Sequence, residues 1–549
     1  MKWEILDGTK VNSIEVLQKV IFKNRGLKSE NEVKDFLEPK NPKDINLIDL
    51  GVPKASINRV LQRLKLAKEK KEKIVIFGDY DADGVCSTAI LWEALYKLGF
   101  DALPYIPDRF EEGYGIKSQT FKNSKFKALN PALIVTVDNG IVAHSAIKTA
   151  KNKKIDVIVV DHHQKTKKKL DTEYIIHSTE VCGSALSWFL AKELKVFDNL
   201  ELVAIGTVAD QMPLLGINRS LVKYGLEELN KHSLASSAGK TKKLGLKELI
   251  KSAGISKVGV YEIGFIIAPR INAMGRLLNA TDSLRLLCTR DKKKSLILSK
   301  LLNDTNLKRQ QIVEDVLIRT LKEVDQELNV IVIEGDYHEG VIGLASGRVT
   351  EKLYKPSIIF SKGEKISKAS ARSISGFNII EAIKETGLII EGGGHPMAAG
   401  FSIETKKISL FKERINEISK KYLNKEMLLR KLKIDAVIDF SIINQDLLDF
   451  ITKLEPVGYG NYSPIFLSKD VEVVETKTVG SENKHIKMKL KQDSKIIDAI
   501  WFNAKSDYIS SKPIKANIAF TVEENVWNNK TSIQLKIRDI RNDKDIKII

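Results

Sequence analysis

Three short aliphatic runs in the first third of the chain each end on an aspartate, and this pattern constrains the fold more than any other. The runs are Ile74-Val75-Ile76-Phe77-Gly78 before Asp79, Leu133-Ile134-Val135-Thr136-Val137 before Asp138, and Val157-Ile158-Val159-Val160 before Asp161. Runs this short, rich in β-branched residues and apolar on both faces, suit strands buried in a parallel sheet. The residue leaving each strand then sits at the sheet's carboxyl edge, where open α/β sheets bind ligands. Two of the aspartates have company, in Asp79-Tyr80-Asp81-Ala82-Asp83-Gly84 and Asp161-His162-His163. Carboxylates and imidazoles converging on one edge repel or desolvate one another unless cations bind among them. The pattern predicts a metal site.

With 549 residues the chain is too long for one core, and ordinary domain sizes predict about three to four domains. An apolar content of 43% with 29% charged residues describes a soluble globular protein, neither disordered nor membrane-embedded. No apolar stretch reaches membrane-spanning length, and Met1-Lys2-Trp3-Glu4 does not open a secretory signal. Lys and Arg outnumber Asp and Glu by 89 to 70, which points to a polyanionic partner such as nucleic acid. Cys86, Cys182 and Cys288 are too scattered for a disulfide framework or a zinc cluster, so a reduced cytoplasm is expected.

Five regions follow along the chain. Residues 1–55 form a mixed lead-in. Over 56–225 strands alternate with helices, including helices at 87–98, about 141–152 and about 184–195, which predicts a doubly wound α/β domain. Residues 226–327 read as a helical connector. A second α/β region covers 328–428, opening on Val330-Ile331-Val332-Ile333 and containing the loop Glu391-Gly392-Gly393-Gly394-His395. Residues 429–549 change to period-two segments, the strands of a small β-barrel.

Within the first motif, Asp79, Asp81 and Asp83 alternate after a strand, so an extended backbone would aim all three side chains one way. Gly84 would then permit the sharp turn into a helix whose amino end favours anions. A lone calcium loop does not fit, because its twelfth position needs a glutamate and holds Ile90. Asp138-Asn139-Gly140 alone is ordinary turn chemistry. Adjacent histidines after a buried strand point to different sides, so one can ligate while the other takes a second ion or substrate. Ala204-Ile205-Gly206-Thr207-Val208-Ala209-Asp210 puts a further aspartate at the end of an apolar segment.

In this order the motifs resemble those of the DHH phosphoesterase superfamily and, within it, the RecJ family of single-strand-specific exonucleases. The likeness extends through Pro107-Asp108-Arg109-Phe110-Glu111-Glu112-Gly113-Tyr114-Gly115, Pro269-Arg270-Ile271-Asn272-Ala273-Met274-Gly275-Arg276 and Arg372-Ser373-Ile374-Ser375-Gly376. It continues in Gly393-Gly394-His395-Pro396 and in Glu455-Pro456-Val457-Gly458-Tyr459-Gly460-Asn461. Two departures stand out: Ile176-His177-Ser178-Thr179 replaces a usual Asn-Pro turn, and Gln211 follows Asp210 where an apolar residue is usual.

The resemblance implies a DHH-type doubly wound domain, a DHH-associated second α/β domain and a C-terminal OB-like barrel. It implies a 5′→3′ exonuclease that degrades single-stranded DNA to 5′-mononucleotides in repair and recombination, using Mn2+ or Mg2+ with two ions bound. Asp81, Asp83, Asp138, His162 and Asp210 match the metal-ligand positions. Asp79 and His163 are further ligand or catalytic candidates, and Asp161 orients a histidine. Arg109, Ser370 and Arg372 would capture the 5′-terminal phosphate, with Arg270, Asn272, Arg276 and His395 as further substrate contacts. In the barrel, Lys487, Lys489 and Lys491 would share a solvent face as a basic track, with Trp501, Phe502 or Trp527 available for stacking. The expected protein is a cytoplasmic monomer that works beside a single-strand-binding protein and a helicase. Two alternatives remain: a DHH phosphodiesterase for short oligonucleotides or cyclic dinucleotides, and a non-catalytic single-strand-binding scaffold.

Overall fold

The computed structural model describes residues 1–234, 243–325, 327–480, 483–504, 515–527 and 530–541. They form two compact units. One comprises Met1–Ile45, Gln211–Tyr224 and the chain from Lys431 onward; the other comprises Asn46–Asp210 and Gly225–Arg430. Strand β1 (Lys2–Ile5) belongs to the first unit. In the second, β2 (Ile74–Phe77), β3 (Ala102–Tyr105), β4 (Leu133–Val137), β5 (Asp156–Asp161) and β6 (Ile175–His177) form one sheet. Its order is β3-β2-β4-β5-β6 and every pairing is parallel. All residues of β2 and β4 are buried, which is why these segments carry no polar alternation. Val75, Phe77, Ile134, Val157 and Val159 pack on Phe121, Phe126 and Ile147 on one face.

The strand order reverses between β2 and β4. A crevice at the carboxyl ends of these two strands is therefore built into the topology, and it receives Asp79 from β2 and Asp138 from β4.

The helix after β2 runs Ala82–Lys97 and so starts five residues before the sequence-based expectation. Asp81 is its N-cap, accepting from Gly84 N at 3.0 Å, and Asp83 lies in its first turn. The three aspartates are therefore not aligned by an extended backbone, because the capping side chain of Asp81 already turns the chain. Gly84 also has another role than expected. A Cβ there would stand 2.5 Å from Asp79 Cβ, so glycine allows the helix to press against the end of the strand. The amino end is not free for a phosphate either, since Asn272 Oδ1 accepts from Ala82 N at 2.7 Å.

The same unit contains β7 (Ile331–Gly335), β8 (Ser357–Ser361), β9 (Ile366–Arg372), β10 (Ile389–His395) and β11 (Ala398–Glu404), in the order β10-β11-β9-β8-β7. Among the described residues helices join the two sheets, including Ala268–Leu277 and the long Lys292–Glu323.

In the first unit, β12 (Lys431–Ile434) pairs with β1. β13 (Ala436–Val437), β14 (Phe466–Val479), β15 (His485–Gln492), β16 (Lys495–Trp501), β17 (Lys515–Trp527) and β18 (Lys530–Arg541) form the last sheet. Pairing of β14 with β17 closes it into a barrel. Leu17, Ile21, Phe22 and Phe36 from the amino-terminal helices share a core with Phe440, Phe466 and Phe520. Arg219 ties this unit together. Its fully buried guanidinium donates to the carbonyls of Phe36, Leu454, Lys453, Glu455 and Pro456 at 2.7–3.2 Å and lies 4.0 Å from the centroid of the Phe36 ring. Along β15, Ile486, Met488 and Leu490 are buried while Lys487 and Lys489 are exposed. Among the described residues no helix is long and apolar enough to cross a membrane.

Candidate metal centre

Acidic and imidazole groups from four separated segments meet at the crevice. Ligand atoms of Asp79, Asp81 and Asp138 lie within 4.8 Å of one another, as do those of Asp83, His162 and Asp210, and those of Asp138, His162 and His163. Asp138 and His162 each belong to two of these groups, so the clusters interlock as two adjacent cation sites would. Asp79 Oδ1, Asp138 Oδ1 and His162 Nε2 are buried with no hydrogen-bond partner. The last two lie 3.1 Å apart, a close approach without hydrogen-bond geometry. Orphaned buried polar atoms of this kind are costly unless a ligand satisfies them.

The electrostatics agree. Burial, then the charge of Asp81, pushes the Asp79 carboxyl well above the carboxylate range. Burial, then Asp83, Asp81 and Asp79, does the same to Asp138. Asp210 is pushed up to about 8 by burial and by Asp83 and Asp81. Burial lowers His162 despite the nearby acids. The crevice thus holds more carboxyl groups than can ionise together without cations, and its oxygen-rich donor set with one or two imidazoles fits Mn2+ or Mg2+.

Several groups hold these side chains. Both oxygens of Asp83 accept from the start of helix Gly183–Glu193, from Gly183 N at 2.7 Å and Ser184 N at 3.0 Å. Asp161 belongs to none of the three ligand groups and instead holds the histidine loop. Its Oδ1 lies 2.8 Å from His163 Nδ1 and 2.7 Å from His162 N, and Oδ2 accepts from Ile141 N at 2.8 Å. Burial opposes ionisation of His163, but the hydrogen bond and charge of Asp161 outweigh it and raise its pKa. The two histidines do not point to different sides as expected: their rings lie 4.6 Å apart and both reach the Asp138 group, His162 also nearing Asp210 and His163 contacting Asp161 and Tyr114. Asn139 bridges the strand ends, donating to the carbonyls of Phe77 and Val137. His177, one of the departures, lies with Nε2 2.8 Å from the carbonyl oxygen of His163 and supports that loop.

Sequence reasoning missed Gly183 and Ser184 and gave Tyr114 no role. The Tyr114 hydroxyl reaches His163 Nε2 at 3.1 Å and the Asp138 carbonyl at 3.4 Å. A Gly-Ser pair opening a helix is a weak signal, and only the fold brings it to Asp83.

A cavity of about 610 Å³ in the same unit is lined by Tyr80, Arg109, Arg276, Ser370 and Arg372. Arg109 stacks over Tyr80 at 5.0 Å, and Arg372 donates to the carbonyl of Ala371 at 2.8 Å. Burial, then Arg109 and Arg309, lowers the Arg276 guanidinium to about 10. Guanidinium groups gathered this way suit a phosphate. The other expected contacts lie outside this lining. Arg270 bonds Asn303 and the Ile266 carbonyl, Asn272 holds Ala82, and His395 ends β10 opposite Ala398. In the barrel unit Lys489 pairs with Glu475 at 2.8 Å, and Lys491 stands opposite Glu472, so acids interleave the basic face. Trp501 is buried and Phe502 is 42% exposed; the Trp527 side chain lies outside the described residues.

Comparison with known proteins gives three matching segments: the DHH family, N-terminal domain, at 73–207, the DHHA1 domain at 325–421, and the RecJ OB domain at 434–539. The single-stranded-DNA-specific exonuclease RecJ of Bacillus subtilis (strain 168) is 32% identical over 98% of this chain and 70% of its own length. The crystal structure of RecJ in complex with Mn2+ from Thermus thermophilus superposes with a TM-score of 0.83 at 26% identity, covering 100% of this chain and 80% of that one. The Mg2+ complex from the same organism gives 0.76 at 25% identity over 99% and 79%.

Proposed function

The chain belongs to the RecJ family, and on that premise we propose that it is a metal-dependent exonuclease that hydrolyses single-stranded DNA from the 5′ end to 5′-mononucleotides. One observation carries the reading: three interlocked groups of acids and imidazoles with orphaned atoms occur in the same unit as an arginine-lined cavity. Asp79, Asp81, Asp83, Asp138, His162 and Asp210 would hold Mn2+ or Mg2+, the ions named for the Thermus structures. When bound, such ions supply an activated water and neutralise charge during in-line attack on a phosphodiester.

The chain's own groups set the geometry. Gly183 and Ser184 fix Asp83; Asp161 holds His163 beside Asp138 and His162, where Tyr114 meets it. Arg109, Arg276, Ser370 and Arg372 would grip the terminal phosphate. Capturing a free 5′ end there would give the enzyme its polarity. Work in repair and recombination, as a cytoplasmic monomer beside a single-strand-binding protein and a helicase, accords with the family.

Digestion of end-labelled strands tests the reading. Long 5′-phosphorylated single strands should be shortened from that end only with Mn2+ or Mg2+ present, while duplex resists. Turnover of dinucleotides as fast as long strands would favour the short-substrate phosphodiesterase instead. Strand binding without cleavage would favour the scaffold.

A further inference from the structure

Among the described residues the most exposed large hydrophobic side chain is Phe265, at 70%, and Tyr261 one turn earlier is 62% exposed. Their rings stack with centroids 4.9 Å apart and planes at 26°. Single exposed apolar side chains are ordinary, but a stacked aromatic pair held out in water is not scatter.

The pair's position is informative. It sits on a helical run made of Val260–Glu262, the wider π turn Ile263–Ile267, and Ala268–Leu277. Single π turns within helices are frequent at functional sites. At Gly264 the run faces Val208, since a Cβ there would lie 3.6 Å from Val208 Cγ1, on the helix that ends at Asp210. Further along it carries Asn272, bonded to Ala82 N, and Arg276, which lines the phosphate cavity. From Phe265 to Arg276 is roughly 16 Å along a helix axis. That is several steps of a nucleic-acid strand, at about 3.4 Å or more per step.

Positive charge continues across the gap. Arg270 donates to the Ile266 carbonyl at 2.7 Å, one residue from Phe265, and Arg309 donates to Asn306 at 3.1 Å. These hydrogen bonds leave both charges uncompensated. Burial, then Arg348 and Arg270, lowers the Arg309 pKa, and Arg309 in turn acts on Arg276. The arginines thus link the cavity to the aromatic pair. This segment lies outside the three family-matched stretches, 73–207, 325–421 and 434–539.

We propose that Tyr261 and Phe265 are a base-stacking step for the single strand, engaging nucleotides several positions 3′ of the bond being cut. The inference rests on the exonuclease reading above. Arginines take the backbone charge, and aromatic faces accept any base, which suits an enzyme that must ignore sequence.

The test uses the full chain carrying Tyr261→Ala with Phe265→Ala, and a second variant carrying Tyr261→Trp with Phe265→Trp. For each, kcat/KM is measured on a long 5′-phosphorylated strand and on a dinucleotide. Stacking is worth about 1–3 kcal/mol per base, so the preference for the long strand should fall on the order of tenfold or more in the alanine variant, through KM. The tryptophan variant should restore it. 2-Aminopurine placed at successive positions of a bound strand should be quenched at one or two internal positions, and that quenching should vanish in the alanine variant. An unchanged length preference overturns the stacking step, as does loss of a protein partner with strand binding intact. Wild-type protein that cuts no long strand would instead overturn the exonuclease reading beneath it.

Discussion

Gly183 stands where any side chain would strike Asp138: a Cβ built on it lies 2.6 Å from the aspartate's Cβ. The same glycine gives its N–H to Asp83 at 2.7 Å, so one backbone position spaces two proposed ligands. Gly183→Ala should lower kcat by about a hundredfold at saturating Mn2+, since a shift near 1 Å costs that much in a site of this kind. Overpacking should cost about 1–3 kcal/mol of stability. Single-turnover rates and denaturant melts of the same preparation check both figures.

Asp138 adopts a left-handed backbone conformation, φ +60°, which asparagine also tolerates. Asp138→Asn should therefore keep the turn, remove a buried acid from a crowded site and abolish cleavage. Without metal it should melt at a higher temperature than the wild type, because it lacks one repelling carboxylate. Calorimetry in a chelator reads the gain; a lower melting temperature would contradict the crowding argument.

Asp210 keeps its proton up to about 8 in the metal-free fold, against 3.8 for an ordinary aspartate. Between those values the folded chain binds more protons than the unfolded one. Stability of the metal-free protein should therefore fall as pH rises through that window. Mn2+ must displace these protons, so its affinity should climb with pH and level off above about 8. Calorimetric titrations in buffers of different ionisation enthalpy should show proton release on binding.

Arg372 lines the cavity without a carboxylate partner in its hydrogen bonds. Arg372→Ala should raise KM for 5′-phosphorylated strands by roughly ten- to a hundredfold, the worth of charge-assisted hydrogen bonds. Strands with a 5′-hydroxyl should be affected far less, and a comparison of the two substrates decides the matter.

The strands of the catalytic sheet were legible because β2 and β4 are buried on both faces and end on charge. The clustering of the three motifs that follow strands was legible for the same reason, since carboxyl edges gather; Asp210 instead ends the helix Leu200–Ala209, which a sheet argument does not bring there. The alignment of Asp79, Asp81 and Asp83 was not. Asp81 caps a helix at once, and alternation after a strand looks the same whether the chain extends or turns. Gly183 and Ser184 act across a hundred or more residues in sequence, with no local signature. Nor could periodicity reveal that Phe22 and Phe36 pack with Phe466, because amphipathic helices do not name the core they join.

The Arg219 clasp and the pairing of Lys2 with Lys431 have a consequence for synthesis. The helices within residues 1–45 leave the ribosome long before their packing partners from residue 431 onward are translated. They must wait, apolar faces uncovered, while the nuclease sheet forms ahead of them. Nascent chains halted before residue 431 should therefore engage chaperones through their first 45 residues.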